Sequence, residues 1–288
     1  MISLQAGAAK AHILPDMGGG LAGLWLGGRP VLRPWSGRVA DGPFALACNV
    51  LLPFSNRISG SGFLLMGRHQ PVPANLPGEA LPIHGDAFQR PWEVIETRPD
   101  SAVLGLEGGS IGPFRYAARL TYRLSPQGLT SDLSLTSAAP EALPYGLGFH
   151  PWFPRTAATL LQFRATGTWP EGPGHLPATQ NPLPMPAGGP WAALAPLPDG
   201  WINQGFSGWE GAAQIVQDEG AVSCRLTARG LGTVLLYSPS ASADFFCFEP
   251  VSHPVDAHNL PGRPGLVTLA PGESLSAAMT LSWGDAAA

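Results

Sequence analysis

Four short segments of this 288-residue chain set hydrogen-bonding side chains inside apolar or turn-rich sequence. In Leu52-Pro53-Phe54-Ser55-Asn56-Arg57-Ile58, Asn56 and Arg57 lie between large apolar residues. Arginine offers a rigid fork of N–H donors and asparagine both a donor and an acceptor, a set suited to hydroxyl groups. The same pair also fits a surface turn after a strand. In Leu81-Pro82-Ile83-His84-Gly85-Asp86-Ala87-Phe88, a proline and a glycine bracket His84. They fix its backbone and leave it as either a site group or a satisfied structural histidine. In Gly146-Leu147-Gly148-Phe149-His150-Pro151-Trp152-Phe153, an imidazole adjoins aromatic rings. Such rings pack on the apolar C–H face of a sugar while its hydroxyls seek polar partners, although a histidine buried in an aromatic cluster reads the same way. In Phe246-Cys247-Phe248-Glu249-Pro250, a carboxylate interrupts an apolar run. Unless Glu249 points outward from an edge strand, desolvation raises its pKa and makes it a better base near neutral pH.

The elements that must position these groups read as strands. Tyr116, Ala118, Leu120, Tyr122 and Leu124 alternate with Ala117, Arg119, Thr121 and Arg123, a period of two that turns one face to a core. A turn at Ser125-Pro126-Gln127-Gly128 and renewed alternation from Leu129 to Leu135 complete a hairpin. Val222 to Arg229 and Thr233 to Ser238 read as a second pair joined around Gly230-Leu231-Gly232. Phe245 to Phe248, Leu266 to Leu269 and Leu275 to Trp283 are further strands. No long segment carries a helical apolar period, and the stretch from Pro170 to Gly200, crowded with proline and glycine, reads as a long loop of functional interest. With no repeat or linker evident, the expectation is an all-β protein, one large antiparallel β-sandwich domain over residues 1–288.

Composition agrees and excludes several classes. Hydrophobic residues make up 44% of the chain and charged residues 12%, a balance that fills a core and argues against disorder. The net charge of −4, with no basic cluster, speaks against nucleic-acid binding. No continuous apolar run reaches membrane-spanning length, and Met1 to Gly20 lacks the pattern of a signal peptide. Cys48, Cys224 and Cys247 are scattered, with no CxxC pair, which fits a reducing cytoplasm. His253, Asp256 and His258 are close in sequence but lack the spacing and third ligand of a zinc site, so no metal or other cofactor is expected.

Together, the four segments resemble the aldose 1-epimerase (galactose mutarotase) family. Pro53-Phe54-Ser55-Asn56-Arg57-Ile58, His84-Gly85, Gly148-Phe149-His150-Pro151-Trp152-Phe153 and Cys247-Phe248-Glu249-Pro250 stand in the order of that family's elements. Ile13-Leu14-Pro15-Asp16-Met17-Gly18-Gly19 resembles its opening strand and turn. The resemblance implies a mutarotase-like supersandwich acting on a small sugar as a monomer or homodimer. His150 is then the general acid and Glu249 the general base, with Asn56, Arg57 and His84 binding and polarising the sugar. One element departs: similar enzymes usually place an Asp three residues before Phe206, and this chain has Asn203, which keeps an acceptor but loses the charge. Trp209 is either a stacking surface or core.

The implied reaction needs only a base on the anomeric hydroxyl and an acid on the ring oxygen. The ring opens, the C1–C2 bond rotates, and reclosure gives the other anomer. Competing readings are a hexose-6-phosphate 1-epimerase, which needs cations such as Arg57, Arg68 or Arg90 at the pocket, and a non-catalytic sugar-binding module on the same scaffold. A glycoside hydrolase would need Asp86, Asp244 or Asp256 as a second carboxylate beside Glu249.

Overall fold

The predicted alternation along residues 114–137 folds into the hairpin it implies. Strands Phe114–Ser125 and Gly128–Ser137 pair antiparallel from Tyr116 opposite Ser137 to Ser125 opposite Gly128, and Tyr116, Ala118, Leu120 and Leu124 point into the core. The computed structural model of the protein describes residues 1–284. Among these, every ladder between named strands is antiparallel and the only helical turns are short 3-10 pieces. Two large sheets dominate, one of 11 strands and one of 9.

They pack face to face over a continuous apolar core in which Phe163 of one sheet meets Phe206 and Phe248 of the other. The hairpin belongs to the nine-stranded sheet. The site-bearing strands are neighbours in the eleven-stranded sheet, in the order Cys48–Leu51, Gly148–Pro154, Phe245–Val251, Thr233–Ser238, Ile202–Ser207 and Gly167–Trp169.

One expected pair is corrected. Cys224–Arg229 joins Ala212–Val216 and Ser274–Ser282 in the nine-stranded sheet, whereas Thr233–Ser238 lies between Ile202–Ser207 and Phe245–Val251 in the other. The Gly230-Leu231-Gly232 connection therefore crosses between the sheets instead of closing a hairpin. Its glycine-rich sequence fits both outcomes, and the partners waiting in each sheet decide. The Pro170–Gly200 stretch is a long excursion, as its composition indicates, punctuated by two-residue strands at Leu183–Pro184 and Ala195–Pro196. No helix among the described residues is long and apolar enough to cross a membrane.

Candidate active site

Strand register brings the chemistry together. Asn49 lies opposite His150, and Leu235 opposite Glu249. The ladder joining Gly148 to Val251 and Trp152 to Cys247 sets His150 and Glu249 side by side on adjacent strands. Because side chains alternate, the neighbouring row on the same face holds Trp152, Cys247, Tyr237 and Asn203. This face floors a cavity of about 280 Å³. Asn56, Arg57, His84, His150, Asn203 and Glu249, all six predicted site residues, line it. Phe44, Trp152, Trp201 and Phe245 supply aromatic walls. A second cavity of about 350 Å³ elsewhere, lined by Arg119, Asp132 and Arg229 among others, holds no buried titratable group among the described residues.

His150 Nε2 and Glu249 Oε1 are 3.3 Å apart, and both side chains are almost fully buried. Burial raises the Glu249 carboxyl to about 8, opposed by the positive Arg57, and lowers His150 to about 3. With these shifts the pair's exchangeable proton rests on the carboxyl and both groups are neutral. Glu249 Oε2 and His150 Nδ1 have no hydrogen-bond partner among the described residues, an expensive arrangement in a dry interior unless another molecule supplies one.

The segment carrying His84 is held by backbone geometry. His84 has a left-handed φ of 59°, and at Gly85, with φ 66°, an added Cβ would lie 1.8 Å from the Leu52 carbonyl oxygen, so only glycine fits there. His84 Nδ1 accepts the Asn56 backbone N–H at 3.1 Å. Burial, then the nearby His150 and Arg57, hold its pKa well below the ordinary histidine value. A neutral ring whose Nδ1 accepts carries its proton on Nε2, so His84 presents a donor. The Asn56 carbonyl oxygen Oδ1 accepts the Arg57 backbone N–H, which leaves the side-chain NH₂ for a ligand.

Arg57 is less available than the sequence implies. Its Nε and Nη2 grip Glu79 at 2.9–3.1 Å, leaving Nη1 as the fork's free arm. Two histidines outside the pocket shape it from behind. His253 Nε2 accepts the Ser55 N–H at 3.0 Å while its Nδ1 meets the Pro254 carbonyl at 2.8 Å, which pins the loop ahead of Asn56. His258 Nε2 donates to the Pro144 carbonyl at 3.0 Å within a nest of Phe54, Phe63 and Phe114. Trp209 is core, packed on Phe248.

The three candidate second carboxylates lie elsewhere. Asp86 accepts from Tyr116 and Ser110, Asp256 from Ser59, and Asp244 is exposed near Arg33. The residues best placed to hold a cation are His150, Cys247 and Glu249, whose donor atoms lie within 4.8 Å of one another. Burial raises the Cys247 thiol well above its ordinary range, so a metal would have to displace protons from both sulfur and carboxyl.

Sequence reasoning missed Asn49, Glu79, Glu171 and His175. Asn49 is fully buried beside His150, with both side-chain polar atoms unpartnered among the described residues, and an Asn inside the apolar run from Ala45 to Leu52 was its signal. Glu171 and His175 are the only titratable side chains between Arg164 and Asp199, which would have marked them. Glu79 follows a Pro-Gly turn and carried no comparable signal.

The molecule is thus an antiparallel β-sandwich with an acid–base pocket on one sheet. It belongs to the aldose 1-epimerase family, whose sequence model matches residues 1–282. The chain is 35% identical over 286 residues to the uncharacterized protein YphB of Escherichia coli (strain K12), with 97% of each covered. It is similar to a crystal structure from Escherichia coli K12 provisionally named an aldose 1-epimerase, with TM-score 0.89, 32% identity and 97% of both chains covered. A galactose mutarotase-like protein of Clostridium acetobutylicum shares the fold at TM-score 0.81 and 21% identity, with 97% of this chain and 93% of that one covered.

Proposed function

We propose that this protein is an aldose 1-epimerase that interconverts the α and β anomers of a neutral, free aldose. The observation that carries the reading is the buried contact of His150 Nε2 with Glu249 Oε1 at 3.3 Å on the floor of the pocket. The two oxygens that exchange protons in mutarotation, the anomeric hydroxyl and the ring oxygen, are bonded to one carbon. Their acid and base must therefore be neighbours. The two carboxylates of a glycosidase stand about 5 to 10 Å apart across the sugar instead.

Glu249 takes the proton from the anomeric hydroxyl and His150 gives one to the ring oxygen. The pair needs one exchangeable proton in total, and it holds one. To act in these roles, Glu249 first passes its proton to His150. The positive Arg57 favours that transfer by stabilising the carboxylate. After ring opening, Glu249 is protonated and His150 neutral, the distribution that burial itself prefers. Reclosure on the other carbonyl face reverses both transfers. His84 donates through Nε2, and Asn56 and the free arm of Arg57 hold hydroxyls.

The resting proton distribution also favours a second assignment of the same pair, with Glu249 the acid and His150 the base. The two assignments have the same proton count, so a pH profile does not separate them. A structure of Glu249→Gln with bound sugar does, by which side chain touches the anomeric oxygen.

Charge selects a neutral substrate over a hexose phosphate. Among the described residues Arg57 is the only Lys or Arg lining the pocket, and Glu79 already engages it. Arg68 pairs with Glu141 and Arg90 with Asp86, both away from the cavity. The test is polarimetry of freshly dissolved α-D-glucose and α-D-galactose, with and without enzyme. Acceleration supports the reading. Binding without acceleration would leave a sugar-binding module, and acceleration on 6-phosphates alone would overturn the charge argument.

A further inference from the structure

One carboxylate organises the rim of the pocket. Glu171 follows strand Gly167–Trp169, at the start of the long loop, where a bridge between Glu171 and Pro177 ties the chain back on itself. Its Oε1 accepts from Asn203 Nδ2 at 2.6 Å and contacts His175 Nδ1, and its Oε2 accepts from Trp201 Nε1 at 2.6 Å. All three partners line the cavity. Burial would raise the Glu171 carboxyl, but the hydrogen bonds from His175, Trp201 and Asn203 outweigh it and hold the group below the ordinary carboxylate value.

We infer that Glu171 is a specificity-determining positioning residue, which turns the Asn203 amide so that its carbonyl oxygen meets a sugar hydroxyl. An ionised carboxylate only accepts, so the amide nitrogen must face it and the oxygen must face away. Asn203 Oδ1 has no protein partner among the described residues, and the strand register places Asn203 in the row beside the acid–base pair. The same carboxylate anchors Trp201, whose ring stands 5.6 Å from His175 and 5.3 Å from Tyr237 as a wall for the sugar's apolar face. The negative charge thus lies one residue behind the contact surface, and the surface itself offers a neutral acceptor.

This inference rests on the sugar-binding part of the proposed function, and the test separates the two. Wild type, Glu171→Gln, Asn203→Asp and the double variant are assayed by polarimetry on α-D-glucose and α-D-galactose. The same proteins are titrated with each equilibrated sugar by calorimetry, and their melting temperatures are compared. In Glu171→Gln one of the two acceptor oxygens becomes an NH₂ donor, so the Asn203 amide is no longer held in one orientation, and KM and Kd rise about tenfold while kcat changes less than about threefold. In Asn203→Asp two carboxylates face each other where the bond now runs, and affinity falls at least about tenfold. The double variant exchanges the two roles: the amide introduced behind the surface donates to the carboxylate introduced on it, and affinity returns to within about threefold of wild type.

That reciprocal rescue is what a merely structural role would not produce. Additive losses, or an unchanged KM in Glu171→Gln, overturn the inference even where the wild type is an active epimerase. Wild type that binds sugar with the expected pattern but does not accelerate mutarotation keeps the inference and removes the catalytic reading. Absence of both binding and acceleration with these sugars overturns both.

Discussion

Replacing Glu249 by Gln separates the chemistry of the carboxyl from the consequences of its burial. The amide keeps the shape and neutrality of the protonated acid but cannot take or give the proton. A positioned acid or base contributes about 10² to 10⁴ in rate, on the order of 3 to 5 kcal/mol, and kcat should fall by that factor. Stability should move the other way. Burial raises Glu249 from 4.5 to about 8. Across that window the folded protein holds a proton that the unfolded chain has released, so stability falls as pH rises, and the loss is complete above the folded pKa. His150, lowered by burial from 6.5 to about 3, gives the opposite slope between those values.

His150 is present in both wild type and Glu249→Gln, so its slope drops out of their difference, and the Glu249 penalty runs from pH 4.5 to about 8. At 1.36 kcal/mol per pH unit, the rise in that difference from roughly pH 5 to about 8 amounts to about 4 kcal/mol. His84, His253 and His258 contribute equally to both proteins, so the difference between wild type and variant isolates Glu249. Urea unfolding followed by tryptophan fluorescence, at roughly pH 5, 6.5 and 8, should show Glu249→Gln gaining on wild type as pH rises. Parallel stability curves would falsify the claim that burial raises this carboxyl. Near-normal kcat would remove Glu249 from the chemistry.

Three other perturbations probe separate parts of the site. Wild-type kcat/KM should decline above about pH 8 as the pair loses its proton, and a profile still rising above pH 8 would contradict this. Glu79→Ala releases the Arg57 guanidinium, so the ratio of kcat/KM for a hexose 6-phosphate to that for the free hexose should rise about tenfold, and an unchanged ratio would show that Glu79 does not set the charge preference. Gly85→Ala drives a Cβ to 1.8 Å from the Leu52 oxygen at a left-handed φ, and should cost roughly 2 to 4 kcal/mol in urea unfolding and displace His84, whereas a wild-type midpoint would refute the packing argument.

What was legible in the sequence follows from how local each determinant is. Alternation along residues 116–135 depends on side-chain direction within a strand, and the two-residue turn fixes its register, so the hairpin could be read directly. The Gly230–Gly232 crossing could not, because it is decided by strands distant in sequence. The same division runs through the site. Asn56, Arg57, His84, His150 and Glu249 announce themselves as polar residues set in apolar or sterically special sequence, and the fold does gather them. What each can do there depends on partners that the local sequence does not show.

Arg57 reads as a free fork until Glu79, 22 residues away, is seen to occupy most of it. Asn203 reads as a lost charge until Glu171, 32 residues away, is found behind its amide. In both cases a long-range carboxylate converts a charged or ambiguous contact into a defined neutral one: Glu79 quenches a cation, and Glu171 orients an amide. A pocket whose floor is a neutral acid–base pair and whose charges are compensated from behind recognises hydroxyls by direction instead of anions by charge. The proposed substrate, a neutral aldose with one hydroxyl on almost every carbon, is the ligand class that fits such a surface.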